Sequence, residues 1–245
     1  MRSIRQLLQL TRLRTATPRK VHFLHVGKCA GTAIKDLATR INALPSGPRI
    51  LAHGHSKKLA ELPCDATYFF SVRHPVSRFV SAFSMRKRKE QPRLYREWTA
   101  GEQEAYELFP EANDLAESLF APAAAGKAAF AAMQSIGHMS FQHGLFKVRD
   151  VLSARPPLCV LRQEKLAADV AHLLRLLGVD QEVGLPADST QAHRNDYSQT
   201  PPLSGKAIEN LTAWYAVDIE YYRLIDAWVD ESQGRDSSVF ERQTA

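Results

Sequence analysis

Hydrophobic residues come in short runs, and between the runs they recur every three or four positions, as expected when strands feed helices. The runs Val21–Val26, Arg49–His53 and Thr67–Val72 are each too short for a helix and each leads into a segment with helical signals. That alternation predicts a parallel sheet with crossover helices. Thr32 to Ile41 reads as the helix after the first run. After the third run, Pro75 suits a first helical turn, and Val76, Phe79, Val80 and Phe83 then line one apolar face. Ser81 falls off that face and is expected to point away from the core. A fourth strand, Leu158–Leu161, precedes an amphipathic helix carrying Leu166, Val170, Leu173, Leu174 and Leu177, with Gly178 where a C-terminal cap belongs. A final single helix is predicted from Ser204 to Val229, with Trp214, Val217, Tyr221 and Ile225 on its buried side. Gln91 to Phe146 is Ala-rich with patchy periodicity. It predicts several short helices and loops, a candidate lid or acceptor surface.

At 245 residues and 44% hydrophobic content, the chain can bury a substantial core in one α/β domain. No repeat or composition shift marks a second. The expected division is a basic N-terminal segment over 1–20, the domain over 21–230 and a polar C-terminal tail over 231–245. A formal charge of +6 indicates an anionic ligand without choosing among a nucleotide, a sulfated glycan and nucleic acid. Three scattered cysteines form neither a disulfide framework nor a zinc-type pair, which fits a reducing compartment. Met1 to Lys20 sets Ile4, Leu7, Leu8 and Leu10 among arginines. It lacks an apolar span long enough for a membrane helix or signal core, so a packed amphipathic helix or a peripheral membrane contact remains.

Three segments carry candidate chemistry. In His25-Val26-Gly27-Lys28-Cys29-Ala30-Gly31-Thr32-Ala33-Ile34 a strand turns into a helix through small residues and a lysine. Such a turn aims the helix's first N–H groups at one point, which suits a phosphate, and Lys28 adds a full charge. The nucleotide-triphosphatase loop instead has its lysine directly before Ser/Thr, after a longer glycine-flanked turn. In the second segment, Tyr68 to Phe83, Arg73 follows a strand and Ser81 lies in the next helix, planar donors and a hydroxyl that suit a second phosphate. In the third, Leu51-Ala52-His53-Gly54-His55-Ser56 puts two imidazoles at a strand end. Two apart on an extended chain, they point to one side. They suit proton transfer near neutrality; no Cys, His or Asp partners stand at metal-ligand spacing, so no metal is expected.

Together these segments resemble the PAPS-dependent sulfotransferases, those using 3′-phosphoadenosine-5′-phosphosulfate, and most closely the carbohydrate 2-O-sulfotransferase-like branch. The resemblance spans most of Val21 to Asp226. It implies an α/β fold with a P-loop-like nucleotide-binding core of the sulfotransferase type. It implies that the turn over Lys28, Cys29, Ala30, Gly31, Thr32 and Ala33 holds the 5′-phosphate, and that Lys28 contacts the bridging oxygen and stabilises the departing nucleotide. Arg73 and Ser81 take the 3′-phosphate positions. The similar His-Gly-His supplies the base, read as His55 with His53 sharing or orienting. A looser match over His193 to Ser198 adds Asn195 and Ser198 as cofactor-closing candidates. Cys29 and Ala30 depart from the Thr and Gly of many relatives. The implied reaction moves a sulfuryl group from PAPS to an acceptor hydroxyl, expected on a saccharide, without nucleic acid. Related eukaryotic enzymes are usually Golgi membrane proteins; without that anchor the expectation is a bacterial cytoplasmic enzyme.

Two other classes stay in view. A P-loop nucleotide kinase needs a Lys-Ser/Thr pair and a strand-end aspartate for Mg²⁺, and Asp36 lies inside the helix instead. A non-catalytic anion- or glycan-binding module could use the basic run Met85 to Lys89, but it leaves the histidine pair unexplained.

Overall fold

A computed structural model describes residues 20–92, 94–143, 151–185 and 201–244. β1 (Lys20–Leu24), β2 (Arg49–Ala52), β3 (Tyr68–Val72) and β4 (Val160–Arg162) form one parallel sheet in the order β2-β1-β3-β4. β3 is buried throughout and β1 at every position but Lys20, which explains their continuous apolar sequences. β1 pairs with β2 from Lys20↔Arg49 to Phe23↔Ala52, and with β3 from His22↔Tyr68 to Leu24↔Phe70.

The helices follow the crossovers. α1 (Gly31–Asn42) joins β1 to β2, and α2 (Pro75–Lys87) follows β3. Next come α3 (Ala100–Leu108), α4 (Ala112–Ser118), α5 (Ala123–Ser135), α6 (Val151–Ala154), α7 (Leu166–Leu177), α8 (Gly205–Trp214) and α9 (Ala216–Thr244). On one sheet face Phe23, Phe69 and Leu161 pack against Ile34 and Leu37 of α1 and Leu173 and Leu177 of α7. On the other, Leu24, Phe70 and Val160 meet Tyr221, Ile225 and Val229 of α9. α7 stops at Gly178, whose φ of 63° gives the left-handed cap expected there. The Ala-rich middle is three short helices that build a further core with α2 and α8, around Phe79, Phe83, Leu115, Met133 and Leu211.

Some expectations need correction. The last helix is two, meeting at Tyr215, whose buried hydroxyl donates to the Met139 carbonyl at 2.7 Å. Tyr221 and Ile225 are buried as expected, but Val217 is 61% exposed, while Asp218 and Ile219 face inward. Asp218 is a buried acceptor for the Gln142 and His143 N–H groups, so a hydrophobic period could not find that face. α9 runs on through residues 231–244. The fourth strand sits at Val160–Arg162 because Arg162, although charged, is buried and held by Asp169, Asp226 and Asp230.

In this strand order the connections from β1 lead one way and the neighbour β3 lies the other way. The C-terminal ends of β1 and β3 therefore flank a switch point, the crevice where open α/β sheets bind ligands. The loops carrying Lys28 and Arg73 both start there.

Candidate functional site

The loop after β1 is held in a tight, partly left-handed shape. Lys28 has φ 66° and Ala30, the cap of α1, has φ 59°. Glycine would adopt Ala30's conformation without strain. The cap residue Ala30 makes no side-chain hydrogen bond to α1 and no acidic residue lies in the first turn, so the positive end of the helix dipole is not offset from within the helix. From the other side, buried Arg78 donates Nε–H to the Gly27 carbonyl at 3.0 Å and Nη1–H to the Ser140 carbonyl at 2.7 Å. Lys28 Nζ donates to Met85 Sδ at 3.1 Å, which leans the ammonium toward α2. Burial pushes the Cys29 thiol up to about 12, so it stays protonated and donates to Gln142 Oε1 at 3.3 Å.

Arg73 follows β3 directly, and its Nε–H donates to Ser77 Oγ at 3.0 Å. Gln142, 2% exposed, joins the two loops: its side chain accepts from Cys29 and bonds the Arg73 peptide through both Oε1 and Nε2. Glu164, after β4, receives the His74 N–H at 2.9 Å and the Tyr222 hydroxyl at 2.9 Å, fixing the start of α2. Ser81 differs from expectation. It is 1% exposed, although it lies off the apolar stripe of α2.

The histidines also pair differently from the sequence reading. His53 N–H still bonds the Phe23 carbonyl at 3.0 Å, so the parallel register runs one residue past β2. That sets His53 beside His22, rings stacked at 5.1 Å and Nδ1 to Nε2 at 2.9 Å. His55 instead meets His25, ring centroids 4.0 Å apart, and His138 edge-on at 5.2 Å. Each has its own partner, His22 on β1 for His53 and His25 just after β1 for His55.

Electrostatics favour neutral rings. Burial lowers His55, with Lys35, Arg78 and Lys28 adding to the fall and a hydrogen bond to the His25 backbone opposing it. His25 falls to about 3 and His138 to about 4, in both cases mainly through burial. His55 is nonetheless exposed. A neutral, accessible imidazole within electrostatic reach of Lys28 can accept a proton.

His25, Arg78, His138, Gln142 and Asp218 were not singled out from sequence. His25 and Arg78 lie inside the quoted motifs, so proximity to them was an available signal. His138 and Gln142 had none. Asn195 and Ser198 lie outside the described residues. The basic run is committed to ion pairs: Arg86 is buried against Glu102, Lys87 meets Glu111 and Lys89 meets Glu97. Among the described residues, no group of three or more His, Cys, Asp or Glu is placed to hold a metal ion, and no helix is long and apolar enough to cross a membrane.

A four-stranded parallel sheet flanked by helices, with the loops carrying Lys28 and Arg73 starting at its switch point, defines a protein of the α/β class. The family model described as "Sulfotransferase family" matches residues 11–224, and the chain belongs to that family. Comparison with curated proteins found no match.

Proposed function

We propose that this sulfotransferase uses PAPS as donor and acts on an acceptor hydroxyl, of a saccharide, in the manner of the carbohydrate 2-O-sulfotransferase-like branch. The carrying observation is that His55 lies within electrostatic reach of Lys28 and packs on His25, the ring that abuts Gly31 at the start of α1, with His55 neutral and exposed. The donor set fits the ligand: backbone N–H groups and a lysine for one phosphate, and a guanidinium oriented by Ser77 for another. When bound, PAPS supplies the sulfuryl group and a 3′-phosphate by which it is recognised.

In this reading residues 21–230 form the catalytic domain. The turn from Lys28 to Ala33 holds the 5′-phosphate, and Arg73 with Ser81 the 3′-phosphate. Asn195 and Ser198 remain candidates for closing over the nucleotide. His55 takes the acceptor proton as the acceptor oxygen bonds to sulfur. Lys28 stabilises the charge left on the phosphate oxygen when its bond to sulfur breaks, an effect stronger in the transition state than in the ground state. His25, through its backbone, fixes the His55 ring; His53 stands apart on His22 and is assigned no proton. Three unpaired cysteines fit a reducing compartment, in keeping with a bacterial cytoplasm.

The test is thermal stabilisation by 3′,5′-adenosine bisphosphate, 5′-AMP and ATP with Mg²⁺. The bisphosphate should stabilise most. An equal or larger response to ATP with Mg²⁺ would instead favour a nucleotide kinase.

A further inference from the structure

His138 stands where the loop after β1 meets the base. Its backbone is left-handed, φ 68°, a region that residues other than glycine seldom occupy. Buried groups pin the chain on either side of it. Gly137 N–H donates to Glu102 Oε1 at 3.2 Å, Tyr215 hydroxyl to the Met139 carbonyl at 2.7 Å, and Arg78 Nη1 to the Ser140 carbonyl at 2.7 Å. The ring so held faces two neighbours. A Cβ on Gly27 would lie 2.7 Å from its Nδ1, so glycine is what lets the ring come down on the phosphate loop. Its other neighbour is His55, at 5.2 Å between centroids. A neutral imidazole offers one N–H donor, and burial keeps this ring neutral.

We infer that His138 is a donor-binding residue whose ring N–H hydrogen-bonds a non-bridging oxygen of the sulfuryl group. The inference rests on the PAPS reading above. In that reading Lys28 serves the leaving oxygen and His55 the entering one, so the sulfur lies between them with its three other oxygens around the transfer axis. His138 borders both groups and is fixed by bonds that leave its ring turned to the loop. A rigid donor there holds the sulfuryl group in line and meets charge on its oxygens without reorganising. His138 takes no proton: the acceptor's proton goes to His55, and the electron pair of the broken sulfur–oxygen bond leaves on the phosphate.

The experiment is calorimetric titration of the full chain with PAPS and with 3′,5′-adenosine bisphosphate, which lacks the sulfuryl group. His138→Ala should lose roughly tenfold in affinity for PAPS, the scale of one hydrogen bond to a charged group, and less than about twofold for the bisphosphate. His138→Asn tolerates the left-handed backbone and keeps an N–H donor, so it should recover most of the loss. Equal losses for both ligands, or no loss for either, would overturn the inference and leave the ring as support for the loop. If the unsubstituted chain binds neither ligand, the PAPS reading itself fails, and this inference with it.

Discussion

Gln142 grips the Arg73 peptide at both ends, Nε2 donating to its carbonyl at 2.9 Å and Oε1 accepting its N–H at 3.4 Å. The same oxygen receives the Cys29 thiol. Gln142→Leu is nearly the same size but leaves these groups without partners in a buried place. It should destabilise the fold by roughly 2–3 kcal/mol. In the proposed function it should also weaken 3′,5′-adenosine bisphosphate binding, although Gln142 is not assigned to the ligand. Urea denaturation and calorimetry read the two effects separately.

Arg73 itself makes a sharper prediction. Its Nε is engaged by Ser77, which orients the guanidinium and leaves its terminal nitrogens for a phosphate. Arg73→Ala should weaken bisphosphate binding by roughly tenfold or more, the scale of a charge-assisted contact. 5′-AMP, which lacks the 3′-phosphate, should bind almost as before. A parallel loss for both nucleotides would remove Arg73 from the 3′-phosphate.

Arg86 and Glu102 are joined by two bonds of 2.7 Å, and both are buried. Burial alone would raise the Glu102 carboxyl; the bonds from Arg86, Thr99 and Gly137 outweigh it and bring it from 4.5 down to about 2. A carboxyl depressed in the folded state contributes stability that is fully present above its unfolded value and lost as pH falls through the folded one. Urea unfolding should therefore show a loss between pH 4.5 and 2, about 3 kcal/mol from this group. At neutral pH Arg86→Met should cost about 3–5 kcal/mol, because it strands Glu102 charged inside the fold.

These residues also show what a linear reading could see. β1 and β3 are legible because burial on both faces makes them continuously apolar, and Lys28 and Arg73 because each lies within a few residues of the strand that positions it. Arg162, Asp218 and Arg86 misled or escaped the reading for one reason: each is a polar residue inside the fold, satisfied by partners distant in sequence. The histidine pairing needed the strand register, which carried the β1–β2 ladder to His53 and so gave each imidazole a different partner. Gln142 and His138 reach the site through the middle segment, with no local signal around them.

In the proposed function His55 should set the acid limb of catalysis. Burial and the nearby cations lower its affinity for protons below the ordinary imidazole value of 6.5. A base must be unprotonated, so kcat/KM should hold down to pH 6.5 and fall only below it. His55→Ala should lose roughly 10²–10⁴-fold in turnover and abolish that limb, with bisphosphate affinity nearly unchanged. Retained turnover would move the base elsewhere, and a limb above the ordinary value would contradict the lowering by desolvation and nearby cations.

Gly31→Ala sets two effects against each other. Gly31 opens α1, and on helix propensity alanine would be better there by about 1 kcal/mol. But its Cβ would stand 1.6 Å from His25 Nε2, so the ring must leave its place. That ring stacks on Phe23 at 5.7 Å and meets His55 at 4.0 Å, and the sheet leaves it little room to retreat. The steric term should win, destabilising the fold by about 1–3 kcal/mol, the range for overpacking a close contact. His25→Ala in the same chain removes the obstacle, so the double variant should recover stability in urea. It should not recover kcat/KM, since His55 would have lost the ring packed against it. If Gly31→Ala alone is as stable and as active as the parent, the close packing of loop on histidine is not what the site depends on.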